Sequence, residues 1–248
     1  MPEPRPLRNA PITEAIIDFR VKAAAGIRAE KFAELKSLLA HQFPKMEQQR
    51  GFEAYFELIK GQGQLPAVQD VGLRGFFFKD SQEKTIAQFR VDGFTLNRLQ
   101  PYTSWEELFP QTIELWRLYC NTAKPEIVTR LAVRYINRIG LPEASVPFET
   151  YLRAAPAVPP ELPQAVSSFV TRITLHDPET DIAAHVSQVL EANIRGQQPA
   201  IILDIDAFRE TQSNIDDPVI ERALAQLRTF KNKIFFNYLT EDALRKFE

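Results

Sequence analysis

Arg130, Arg134 and Arg138 recur at every fourth position of one largely apolar run, Ile127–Ile139. In an extended strand successive side chains point to opposite faces. The three arginines therefore share a face with Ala132 and Ile136, while Leu131, Val133, Tyr135 and Ile139 take the other, a core face. Arg20, Arg90 and Arg172 also sit on strand-like segments, opposed to apolar neighbours. A guanidinium is planar, permanently charged and offers paired N–H donors to carboxylate or phosphate, so the pattern points to anion recognition. Two arrangements satisfy it. One is a ladder of cross-strand ion pairs with Asp18, Glu53, Glu57, Asp92, Asp204 and Asp206. In the other, Arg130, Arg134, Arg138, Arg90 and Arg172 line a concavity for an anionic ligand, phosphate-bearing or nucleic acid.

Other chemistries find less support. The nine glycines form neither GxGxxG nor GxxxxGK[ST], and no GxSxG elbow is present. His41, His176 and His185 lack ligand-spaced partners, although His176 and His185 fall where two strand ends could meet. Asp204-Ile205-Asp206 follows an apolar strand and resembles a phosphotransfer DxD, but only about 40 residues, mostly one helix, follow it. The pair fits better as arginine partners, and a magnesium site would need further ligands that the sequence does not identify. Cys120 lies on an apolar helix stripe and reads as a structural thiol. Tyr102 and Trp105 bracket a helix start and read as corner packing. No catalytic residue, metal site or cofactor is assigned.

The elements that must position these residues follow from periodicity. Ile12–Lys22 alternates as a half-buried strand. Ala29–Phe43 has helical spacing (Phe32, Leu35, Leu39, Phe43) and is stopped by Pro44. Gly51–Lys60 and Val71–Lys79 are strands around the loop Gly61–Pro66. Thr85–Leu99 reads as one long strand whose alternation slips at Gly93, the sign of a β-bulge or bend. Ser104 with Glu107 is a capping box opening a helix to about Thr122, with a kink or restart at Pro110. After strand Ile127–Ile139 comes a segment, Pro142–Pro163, with six prolines and a short helix near Phe148–Arg153. Strands Ser167–His176, Ile182–Leu190 and Ala200–Phe208 follow. A long helix starts at Asp217-Pro218 with the stripe Ile220, Leu224, Leu227, Ile234 and Tyr238, and Thr240 caps a last turn.

Written as elements, residues 1–122 and 123–248 each read β-α-β-β-β-α, with matching landmarks offset by about 113–116 residues. The expected fold is therefore α+β: tandem halves in one compact unit, forming a curved antiparallel sheet of eight strands with helices on one face. A saddle of the TATA-binding-protein or helix-grip kind is the first expectation; paired ferredoxin-like sheets are the second.

Several of these segments carry a resemblance. Leu7-Arg8-Asn9-Ala10-Pro11-Ile12-Thr13-Glu14-Ala15, Asp92-Gly93-Phe94 with Asn97-Arg98-Leu99-Gln100-Pro101-Tyr102 and Trp105, and Arg134-Tyr135-Ile136-Asn137-Arg138-Ile139 resemble a sporadically distributed family of uncharacterised bacterial proteins. The resemblance runs from residue 7 to the C-terminal helix. It implies a bacterial, cytoplasmic protein and no particular activity. Composition is compatible: one cysteine fits a reducing compartment, no apolar run approaches the roughly 20 residues of a membrane span, and Met1–Pro6 has no signal-peptide h-region. A net charge of −2 and a pI near 6.0 exclude global attraction to nucleic acid or anionic membranes and leave room for a local basic patch. The expected function is a non-enzymatic binding or interaction protein with an anionic ligand on the sheet face. The alternatives are a metal-dependent enzyme acting on a phosphorylated or nucleic-acid substrate and a regulatory, protein-binding subunit.

Overall fold

A computed structural model describes residues 5–55, 67–142, 147–191, 198–214 and 217–248. Nine strands form one open antiparallel sheet. They are β1 (Ile12–Lys22), β2 (Lys45–Tyr55), β3 (Ala67–Lys79), β4 (Thr85–Arg90), β5 (Gly93–Leu99), β6 (Ile127–Gly140), β7 (Val170–Asp177), β8 (Ile182–Glu191) and β9 (Ala200–Ser213). Their order across the sheet is β2-β3-β4-β5-β1-β6-β9-β8-β7. The helices are α1 (Leu35–Leu39), α2 (Trp105–Ala123), α3 (Asp217–Tyr238) and α4 (Glu241–Arg245). Hydrogen bonding is continuous through the central β1–β6 pair, so paired separate sheets are ruled out. The expected strand end Phe56–Lys60 and loop Gly61–Pro66 lie outside the described residues.

Aromatic burial on one face holds the sheet to its helices. Phe19, Phe94 and Phe89 stand on three neighbouring strands with ring centroids 5.9 and 5.1 Å apart, and Phe78 meets Phe89 edge-on. On α2, Trp116 stacks on Phe19 at 4.3 Å and Tyr119 on Phe32 at 5.7 Å. All of these side chains are fully buried. Such contacts contribute about 0.5–1.5 kcal/mol each beyond area burial. The inward stripe of β6 (Leu131, Val133, Tyr135) lies on the same face, and α3 packs there against β6 and β9. Both long helices thus cover one face.

Several local signals hold. The Ser104 hydroxyl accepts from the Glu107 amide, and the Thr240 hydroxyl accepts from the Ala243 amide. The Glu107 carboxylate, however, accepts from the Thr103 hydroxyl at 2.5 Å, where a capping box would turn it back to Ser104. Helix α2 runs as one element through Pro110. Where one helix was expected over Ala29–Phe43, a 3₁₀ turn (Ala29–Glu34) precedes the short α1, yet Phe32, Leu35, Leu39 and Phe43 are still buried. A 3₁₀ turn places apolar residues three apart on one side as well as an α-helix does.

The long strand expected over Thr85–Leu99 is instead a hairpin, which raises the strand number from eight to nine. Arg90 pairs with Gly93 across a two-residue turn, Val91-Asp92. A two-residue reversal shifts the inward positions from odd (Ala87, Phe89) to even (Phe94, Leu96), which is the slip seen in the sequence. The turn is held from both sides: the Val91 amide donates to Arg74 O and Asp92 O accepts from the Val21 amide. Gly93 is required because β1 comes close, and a Cβ there would stand 2.1 Å from Phe19 O. Gly93→Ala is therefore expected to destabilise the fold by about 1–3 kcal/mol in urea unfolding. An unchanged midpoint would mean that β1 and β5 can separate without loss.

Candidate functional site

The face away from α2 and α3 carries the arginines. Strand pairing sets them in rows across the sheet. Arg130 on β6 stands opposite Arg20 on β1, Arg20 opposite Gly93 on β5, and Gly93 opposite Arg90 on β4. In the adjoining row Ala132, Asp18, Thr95 and Gln88 stand in line. Like charges directly opposite one another destabilise a sheet unless a counter-charge lies within reach.

Asp18 supplies it. Its carboxylate, only 9% exposed, lies 3.0 Å from Arg20 Nε, 3.2 Å from Arg90 Nη2 and 3.5 Å from Arg130 Nη1. Thr95 donates its hydroxyl to the same carboxylate and accepts from Arg90 Nη1 at 2.8 Å. Arg90, 6% exposed, also donates to Gln88 Oε1 and reaches Asp92. Burial pushes the Asp18 carboxyl up, but Arg20, the Thr95 hydrogen bond, Arg90 and Arg130 together outweigh it and hold Asp18 below the usual carboxylate range. Beside this cluster Arg130 Nη2 donates to Asp206 at 2.8 Å, with its guanidinium over the Phe208 ring. Arg134 makes a two-bond fork on Asp204, at 2.9 and 2.6 Å, and that bond raises its pKa.

The structure therefore brings Arg90, Arg130 and Arg134 together around a concavity of about 540 Å³, joined by Arg20, Asp18 and Asp206. Arg138 lies beyond it, bonded to Glu191 Oε2 at 2.7 Å and to Gln198 O. Arg172 is exposed on the edge strand β7, outside the concavity. Thr95, Gln88 and Asn97 also line the site. They sit at alternate outward positions of the β4–β5 hairpin, a pattern hidden while Thr85–Leu99 was read as a single strand.

The other candidates fall into structural places. Asp204 and Asp206 accept from Arg134 and Arg130. Among the described residues no three His, Cys, Asp or Glu side chains converge as a metal site. His185 hydrogen-bonds Thr174 across the β7–β8 pair and contacts the Phe208 ring, while His176 stands opposite Ala183. Cys120 packs against the core. Trp105 stacks on Phe109, and the Tyr102 and Tyr135 hydroxyls meet at 2.7 Å. No helix among the described residues is long and apolar enough to cross a membrane. No protein-family model matches the chain, and no curated protein matches it.

Removing the Asp18 charge would leave facing guanidinium groups without their shared partner. Asp18→Asn is expected to lower stability by about 3–5 kcal/mol near neutral pH. Because the folded-state pKa of Asp18 is depressed, its contribution is present above the ordinary carboxylate range and is lost as pH falls through the folded value. The variant should therefore show a flatter acid limb when unfolding is followed between about pH 2 and pH 7. An unaltered limb would assign acid unfolding to other carboxylates.

Proposed function

We propose that the chain is a non-enzymatic binding protein whose uncovered sheet face takes an extended anionic ligand, phosphate-bearing or nucleic acid. One observation carries the reading. The residues lining the concavity include four arginines (Arg20, Arg90, Arg130 and Arg134) against two carboxylates (Asp18 and Asp206). Other carboxylates satisfy these arginines from the side, yet a guanidinium has five N–H donors, and a fork on one carboxylate uses only two. A ligand phosphate above the floor would meet donors already oriented by Asp18, Asp204 and Asp206, and so would order fewer side chains on binding. Arg138 and the exposed Arg172 would extend the basic track toward β8 and β7. The one hydroxyl–carboxylate pair described on the floor is Thr95 with Asp18, and the arginines hold Asp18 below the usual carboxylate range, which makes it a weak base, so binding is the better description than catalysis.

The architecture that goes with this reading is a tandem duplication, residues 1–122 and 123–248, in a saddle of the TATA-binding-protein or helix-grip kind. In its support, β1-β5-β4-β3 and β6-β9-β8-β7 extend outward from the central β1–β6 pair in corresponding order. Each run is followed by a long helix on the same face, α2 or α3. The setting, on the family resemblance and the single cysteine, is the bacterial cytoplasm.

The test is substitution at Arg134 and Arg130, with binding to heparin, nucleotides and single-stranded DNA measured at several salt concentrations. Wild type is expected to bind with an affinity that falls steeply as salt rises. Arg134→Lys should leave the unfolding midpoint within about 1 kcal/mol of wild type, as for other half-exposed ion pairs, and should weaken binding about tenfold, roughly 1.4 kcal/mol. Arg130→Ala should weaken binding further. Loss of stability in these variants with no anion bound by wild type below about millimolar, on the order of −4 kcal/mol, would make the face structural.

A further inference from the structure

A second cavity, about 500 Å³, opens on the opposite side of β6, between the start of α2, helix α3 and the N-terminal segment. Arg134 and Ala132 point to the sheet-face concavity, whereas Tyr135 and Asn137, the alternate residues, line this one. Its wall contains Lys231, which occupies a place in the apolar stripe of α3 between Leu227 and Ile234 and is 7% exposed. Among the described residues no carboxylate pairs with it. Its ammonium sits 3.6 Å from the centre of the Tyr135 ring, a contact that offsets only part of the loss of water around a charge. The start of the 19-residue α2, Ser104, Trp105 and Glu106, lines the same space and brings the positive end of the helix dipole to it, with the Glu107 amide already capped by the Ser104 hydroxyl. Arg228, one turn before Lys231, lies over the Trp105 ring and reaches Glu106 at 3.1 Å. Phe235 and Phe236 complete an aromatic wall.

We propose that this cavity binds a small organic anion, a carboxylate or phosphate monoester on a flat or aromatic body, with Lys231 and Arg228 holding the charge. The arrangement resolves a cost that the empty fold otherwise carries. A buried cation with no counter-ion is disfavoured; Glu106 serves Arg228, and an anionic ligand is the counter-ion that Lys231 lacks. Burial, followed by the repulsion of Arg228, lowers the Lys231 pKa to about 7. The charged and titratable groups facing it are Arg228 on α3, Tyr135 on β6, Tyr102 and Glu106 at the start of α2, and Arg5 and Arg8 of the N-terminal segment. Burial raises both tyrosine pKa values, so those phenols keep their protons through neutral pH. Lysine protonation is then what an anion changes. Well above pH 7 the amine in the free pocket is mostly neutral, and an anion bound beside it favours its protonation.

The experiment is isothermal titration calorimetry of the full chain with phenyl phosphate, benzoate and inorganic phosphate, at pH 6 and pH 8.5 in buffers of different ionisation enthalpy. Phenyl phosphate or benzoate is expected to bind more tightly than inorganic phosphate. Affinity should fall by tenfold or more from pH 6 to pH 8.5, with proton uptake at the higher pH. Lys231→Met, which puts an apolar chain of similar length into an apolar stripe, should keep the unfolding temperature or raise it, and should abolish both the proton uptake and most of the affinity. Should that variant fail to fold, Arg228→Gln reads the same site and is expected to weaken phenyl phosphate about tenfold. Failure of all three probes to bind wild type would overturn the proposal, as would binding that Lys231→Met and Arg228→Gln leave unchanged. Arg134→Lys separates this pocket from the sheet face. It should leave phenyl phosphate affinity unaltered, and a loss there would place the anion on the other side of the sheet.

Discussion

The contact on which the uncovered face depends is the one between Asp18 and the guanidinium groups around it. Strand order forces Arg20 and Arg130 into direct opposition and sets Arg90 two strands from Arg20, across β5. Without a carboxylate in the neighbouring row, this part of the sheet would be a patch of like charge at strand spacing, and pairing of β1 with β6 would work against it. Asp18 is placed on the central strand, within 3.5 Å of all three. Thr95 ties the carboxylate to Arg90, and so joins three strands through side chains as well as backbone. The same network that stabilises the pairing also aims the arginines. A network so fully connected is rigid, which suits a surface that must hold its shape before a ligand arrives.

The two faces of the sheet solve opposite problems with one strand pattern. Toward the helices, Phe19, Phe89 and Phe94 make an aromatic layer that α2 closes with Trp116 and Tyr119. Away from them, the residues between those phenylalanines, Asp18, Arg20, Arg90 and Thr95, are polar and mutually bonded. Alternation forces the coupling, because a shift of one residue in β1 would bury the charges and expose the rings. The buried aromatic layer thereby fixes the register that the ion pairs need.

Local signals were the legible ones. The bounds of β1, the Thr240 cap, the serine half of the Ser104 capping box and the inward stripe of β6 follow from neighbouring residues alone, and they are found as read. The β4–β5 hairpin was hidden because its Asp-Gly pair, Asp92-Gly93, is offset by one residue: the turn is Val91-Asp92 and Gly93 already belongs to β5. The bond it donates to Arg74 O and the bond it accepts from the Val21 amide, both on flanking strands, stabilise that turn instead, and those bonds depend on sheet order. Asp18, Asp92, Asp204 and Asp206 were legible as partners for the arginines, but which arginine each one meets was not: that Arg130 meets Asp18 and Asp206 requires β6 to lie between β1 and β9. Lys231 left a trace, a basic residue interrupting an apolar stripe, but a lone lysine at such a position gives no hint of the cavity beside it.

An open sheet also has two rims, and they are not alike. Along β2, Lys45, Glu47 and Arg50 are exposed, and each is bound to a charge from Glu83, Lys79 or Asp70. A second chain approaching there would have to strip water from a charged border. On β7, the other edge strand, the residues include Val170, 71% exposed, and Ile173, and no described strand pairs with its outer side. Such a rim is a template for further strand addition. At high protein concentration, self-association and fibril seeding should therefore begin at β7 rather than at β2, and a lysine placed at position 170 would be the economical way to keep the chain apart from its copies.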